Sequence, residues 1–87
     1  MADAPIYFYE TEIDWKGDKD LQLSSGNLPL IAAGAPPEFK GREGVWAPEH
    51  LFVASLHTCY MLTLLAIAEF SNIPIVSCSS SAKGKLE

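Results

Sequence analysis

Residues 48–70 read PEHLFVASLHTCYMLTLLAIAEF, and the way this run is housed decides the fold. Pro48 suits the first helical position, where a missing N–H costs nothing, and Glu49 sits where the positive end of the helix dipole favours a carboxylate. Ala47 before it is a poor N-cap. Asn72, with Pro74 two residues on, supplies the stop. The signals predict a helix from about Pro48 to Phe70, about 35 Å long at 1.5 Å per residue. Its apolar residues, among them Leu51, Phe52, Val53, Leu56, Tyr60 and Ile67, fall on all sides of the helical wheel. A helix that is apolar all round must be covered all round.

Outward from the helix, the chain offers little to cover it. Pro5 to Trp15 alternates, with Ile6 and Phe8 on one face and Tyr7, Tyr9, Ile13 and Trp15 on the other, which reads as a strand. KGDKD then supplies a turn, and Leu21 to Ser25 returns as the second arm of a hairpin. A short strand is expected near Leu28 to Ala32, followed by an irregular loop rich in Gly and Pro up to Trp46. Loops of that length are often functional. After the helix, Ile73 to Lys85 alternates again and predicts a last strand. Three or four short strands cover one face of the helix and leave a patch of the size that marks an interface. The commonest solution is a two-fold homodimer in which the helix packs against its copy. The expected architecture is α+β: antiparallel N-terminal strands, one long buried central helix, then a further strand.

The whole chain bounds the function. Its 87 residues make one domain at most, residues 1–87, and 48% of them are hydrophobic, so a real core is expected rather than disorder. A net charge of -5, with six scattered Lys and Arg, gives no footprint for a phosphate backbone or anionic lipid. No nucleic-acid partner is expected. The opening MADAPIYFYE has neither a basic n-region nor an apolar h-region, so a cytoplasmic, reducing setting is expected, where thiols do chemistry or pack. Leu51 to Ala68 holds no Asp, Glu, Lys or Arg and just reaches the length of about 18 residues that makes a membrane-span candidate. Ser55, His57, Thr58 and Thr63 inside the run, and the absence of Lys or Arg directly at its ends, weigh against that reading.

The stretch PLIAAGAPPEFKGREGVWAPEHLFVASLHTCYMLTLLAIAE, followed by IPIVSCSSSAKGKLE, is similar to the OsmC/Ohr family, named for osmotically inducible protein C and organic hydroperoxide resistance protein. The resemblance is carried by Pro36, Pro37, Phe39 and Gly41 in the loop, by Trp46, Pro48, Glu49 and Leu51 at the helix start, and by Cys59 ten residues after Glu49. It covers nearly all of the chain and corresponds to the front part of the family domain, which continues through a second helix bearing a second Cys. It implies an intertwined α+β homodimer with the long helices packed at the two-fold axis. The implied activity is cofactor-free, thiol-dependent reduction of organic hydroperoxides. In it a first Cys, matching Cys59, attacks the peroxide and becomes a sulfenic acid, the family's second Cys condenses with it to a disulfide, and an external dithiol reduces that disulfide. The alternative is a truncated, non-catalytic OsmC-like domain acting only as a dimerising or interaction unit.

Each candidate residue has a plainer reading beside the functional one. Cys59 is either a peroxidatic nucleophile or a small packed hydrophobe; a reactive thiol works as the thiolate, which a neighbour must favour. Glu49 matches a family carboxylate that organises the site through an Arg, or it is a first-turn acid. It lies about 15 Å along the axis from Cys59, so the two meet only across an antiparallel dimer axis. The family's peroxidase branch draws its Arg from the N-terminal hairpin; here the hairpin offers Lys16 and Lys19, and the one Arg is Arg42, in the loop. A Lys does not reproduce a planar bidentate contact. Trp46 is a core anchor or the lining of a pocket for the peroxide's apolar tail, and His57 faces the dimer interface or the loop, or borders the site. His50 and His57 stand about 10 Å apart on one face, too far to share a zinc ion, so no metal or cofactor is expected. Cys78 is expected on the last strand, packed and inert, because a bridge from sheet to helix would be strained.

Overall fold

A computed structural model describes residues 4–87; Met1 to Asp3, the first residues of the stretch read as lacking a leader, lie outside it. The chain divides into two compact units, one ending at Trp46 and the other comprising Ala47–Glu87. The class is α+β, as the sequence predicts, with three strands, one short 3-10 turn and one long helix among the described residues.

The first unit is an antiparallel sheet in the order β1-β2-β3, with β1 at Glu12–Gly17, β2 at Asp20–Ser24 and β3 at Ile31–Gly34. Gly17, at φ 106°, and Asp18, at φ 48°, take the positive dihedrals that a tight hairpin demands, and the Trp15 indole N–H donates to the Asp18 carbonyl at 2.8 Å across that turn. The registers set Ile13, Leu23 and Ile31 side by side, and likewise Trp15, Leu21 and Ala33. One face of the sheet is therefore apolar and the other carries Glu12, Asp14 and Gln22.

Two strand expectations shift. Strand β1 begins at Glu12 rather than Pro5, because its partner β2 ends at Ser24. There the backbone turns, Leu28 donating to the Ser25 carbonyl at 3.0 Å, so residues before Glu12 have no ladder to join. Strand β3 is displaced from the expected Leu28 to Ala32 by the same turn.

The loop after β3 closes on itself. Pro37–Phe39 forms the 3-10 turn, Lys40 takes φ 68°, and the Gly41 N–H donates to the Pro36 carbonyl at 3.0 Å. A Cβ on Gly41 would overlap the Ala35 carbonyl, so only glycine allows this approach. The Gly34 N–H donates to the Trp46 carbonyl at 2.9 Å, and Trp46 forms a parallel bridge with Ala33. The segment is thus a compact Ω-type loop whose ends meet at the edge of β3.

The second unit is the helix α1, Pro48–Phe70, with the expected bounds. The weak cap at Ala47 is compensated by His50, whose Nδ1 accepts the Ala47 N–H at 3.0 Å. At the other end Asn72 stands at φ 57°, Ile73 donates to the Ala68 carbonyl at 2.8 Å and Asn72 donates to the Glu69 carbonyl at 3.1 Å. That pair of bonds is a Schellman motif, with Asn in the place usually held by glycine.

Two further expectations are corrected. Residues 73–87 form no strand. A strand needs a neighbour to satisfy its backbone, and this segment lies along α1 instead, with Cys78 against Met61, Ser80 against His57 and Gly84 close to Val53. Nor is the helix buried. Of its residues only Ala68 is buried, and among the described residues the buried hydrophobics are three alanines, Ala33, Ala47 and Ala68. A tail of small and polar residues covers one stripe, and the rest of an all-round apolar helix stays open.

Candidate functional site

The tail fixes which side of α1 is free. Val53, His57 and Met61 are spaced by four residues and form one stripe. The partners Gly84, Ser80 and Cys78 run past them in the opposite direction. Extended chain advances about 3.3 Å per residue and a helix 1.5 Å, so the step from Ser80 to Cys78 matches the step from His57 to Met61. This stripe is half-buried.

Cys59 stands about 200° round from both His57 and Met61, on the far side. Its thiol is free and exposed. Within about 60° of it on the wheel lie Phe52, Leu56 and Leu62, which are 67%, 59% and 61% exposed. The thiol therefore sits in an open apolar patch. Glu49 occupies the first turn, exposed, about 15 Å along the axis and 80° round from Cys59, so the two do not meet within one chain. Glu49 instead borders a groove of about 430 Å³ between the first two turns and the end of the tail, lined also by Phe52, Val53, Gly84 and Leu86.

His57 points to the tail. Its Nε2 lies 2.6 Å from the Ser80 Oγ, and the Cys78 thiol lies 3.7 Å from the Met61 sulfur. Cys78 is free and exposed, not packed in a sheet. The remaining two candidates belong to the strand unit. Arg42 donates through Nε to the Asp20 carboxylate at 2.9 Å, an exposed pair that ties the loop to the start of β2 and is worth at most about 1 kcal/mol. Trp46 closes the loop on β3 through its backbone and is half-exposed.

The helix thus brings Glu49, His57 and Cys59 onto one element but onto different faces. Met61, Cys78 and Ser80 were not singled out as a group by sequence. The spacing of His57 and Met61 and the alternation of Cys78 and Ser80 are both legible, but their meeting depends on the tail lying on the helix rather than in a sheet. Among the described residues no group of three or more His, Cys, Asp or Glu is placed to hold a metal ion. Helix α1 is long and apolar enough to cross a membrane by length and composition, with 6% of that window buried. No family model matches the chain, and no curated protein matches it.

Proposed function

We propose that the chain is the front part of an OsmC-like domain that self-associates through α1 and reduces organic hydroperoxides at Cys59. The observation that carries this reading is a free, exposed thiol in the middle of an open apolar helix face. An alkyl hydroperoxide suits such a place, since its hydrocarbon portion packs on Leu56 and Phe52 while its O–O bond reaches the sulfur. The Cys59 thiolate attacks the terminal oxygen, the O–O bond breaks, and the alkoxide leaves as the alcohol after taking a proton. Sulfur is oxidised by two electrons to the sulfenic acid. One thiol of an external dithiol condenses with it, releasing water, and the second thiol displaces Cys59 from the mixed disulfide. No second cysteine of this chain is required.

In this reading a two-fold antiparallel crossing brings Glu49 of one copy toward Cys59 of the other, and pairing removes both helix faces from water. Trp46 and Arg42 stay as candidate substrate-binding residues, whereas His57 faces the tail through Ser80, away from Cys59, and is not assigned to the peroxide site. The test is consumption of cumene hydroperoxide in the presence of dithiothreitol, with dimedone labelling of the sulfenic acid. Turnover and a dimedone adduct on Cys59, both absent in Cys59→Ser, are expected. Equal turnover by Cys59→Ser, or no turnover by either, overturns the proposal.

The same exposed face favours a second reading, in which the domain is a dimerising unit without chemistry. Self-association without peroxide consumption is its signature.

A further inference from the structure

The contact between the tail and α1 has a chemistry that hydroperoxide reduction does not use. His57 and Met61 are four residues apart on the helix, and their partners Ser80 and Cys78 are two apart on the extended tail, so the four side chains meet in two facing pairs. In one pair the sulfurs of Cys78 and Met61 are 3.7 Å apart; in the other, His57 Nε2 is 2.6 Å from the Ser80 hydroxyl. His57 and Met61, four apart on the helix with Cβ atoms about 5–6 Å from each other, line one cavity together with Ser80, beside the Cys78 and Met61 sulfurs.

The sulfur separation is informative. Two sulfur ligands at about 2.3 Å from one ion, at the roughly 120° of a three-coordinate site, stand about 4.0 Å apart. The observed 3.7 Å is about 0.3 Å short of that bite, so the two sulfurs need only a small separation to hold one ion. A thiolate, a thioether and an imidazole form a soft donor set, which selects Cu(I) over hard cations. The carboxylates that a hard ion prefers do not join them, since the grouping contains no Asp or Glu.

We propose that His57, Met61 and Cys78 form a three-coordinate Cu(I) site that pins the tail to the helix. On binding, the Cys78 S–H proton is lost to solvent and an S–Cu bond forms. The Met61 sulfur donates a lone pair, and neutral His57 transfers the lone pair on Nε2 from the Ser80 hydroxyl to the ion, keeping its proton on Nδ1. No electron is transferred. The site lies on the opposite side of α1 from Cys59 and does not depend on the peroxidase reading.

The experiment titrates the 87-residue chain with Cu(I) under anaerobic conditions against the chromophoric chelator bicinchoninate, with native mass spectrometry for stoichiometry. One Cu(I) per chain is expected, with Cys59→Ser unchanged. Cys78→Ser and Met61→Leu, both at the helix surface, should each weaken binding at least tenfold while far-UV helicity is retained. Failure of the wild-type chain to take Cu(I) from the chelator overturns the proposal. So does wild-type affinity in both variants, loss of binding in Cys59→Ser, one ion shared between two chains, or a preference for Zn²⁺ over Cu(I).

Discussion

Truncating Leu56 to alanine tests whether the open face of α1 is an interface. Leu56 is 59% exposed in the single chain. Removing three carbons from a fully buried position forfeits about 2.4 kcal/mol at 0.8 kcal/mol per carbon. Scaled by the exposed fraction that a partner covers, the loss is about 1.4 kcal/mol per copy. A two-fold dimer contains the position twice, so the dissociation constant should rise by about 2.8 kcal/mol, or about 100-fold. Sedimentation equilibrium across a wide concentration range reads this directly. Far-UV helicity should be unchanged, because the side chain makes no contribution to the caps at Ala47 and Asn72. Two results refute the reasoning: a wild-type chain that stays monomeric in detergent-free solution at about 100 µM, or a Leu56→Ala chain that dimerises with wild-type affinity.

Other perturbations bear on separate parts of the chain. Glu49→Gln should lower peroxidase kcat/KM by about 10- to 100-fold through misplacement at the shared site while leaving the dimer constant unchanged; equal activity removes Glu49 from the site. Asn72→Ala should cost about 1 kcal/mol, since alanine at positive φ is strained, whereas Asn72→Gly should be neutral or stabilising in thermal unfolding. Gly41→Ala should cost at least about 2 kcal/mol, because the added carbon meets the Ala35 carbonyl, and should lower Tm by roughly 8–16 °C; an unchanged Tm shows that the loop yields freely. His50→Ala should lose the acceptor for the Ala47 N–H and about 0.5–1 kcal/mol of stability, read from the same unfolding curves.

Much of the local structure was legible because it rests on local chemistry. Pro48 and Asn72 bound the helix to the residue, KGDKD makes the hairpin turn, and the alternation of Leu21 and Leu23 gives β2. The errors arise where alternation says that a segment is extended without saying what it pairs with. Pro5 to Thr11 alternates as well as any strand, yet β2 turns away at Ser25 and leaves it without a ladder. Ile73 to Lys85 carries the same pattern and lies along a helix. The burial expectation rests on a second copy over the face that one chain cannot cover, and in the single chain the helix is exposed because the tail covers only one stripe of it. At the site, the helical position of Cys59 and its distance from Glu49 follow from spacing alone. The role of His57 does not, because Ser80 reaches it from 23 residues away.

The placement of the tail on one stripe of α1 has a thermodynamic corollary. Occupancy of the His57 and Met61 side leaves the Leu56 and Cys59 side untouched, so whatever loads each side should do so without competition. Two such events share no side chain and add their free energies, giving a coupling near zero by linkage. An ion held beside Cys78 should then neither help nor hinder a second copy from settling over Leu56.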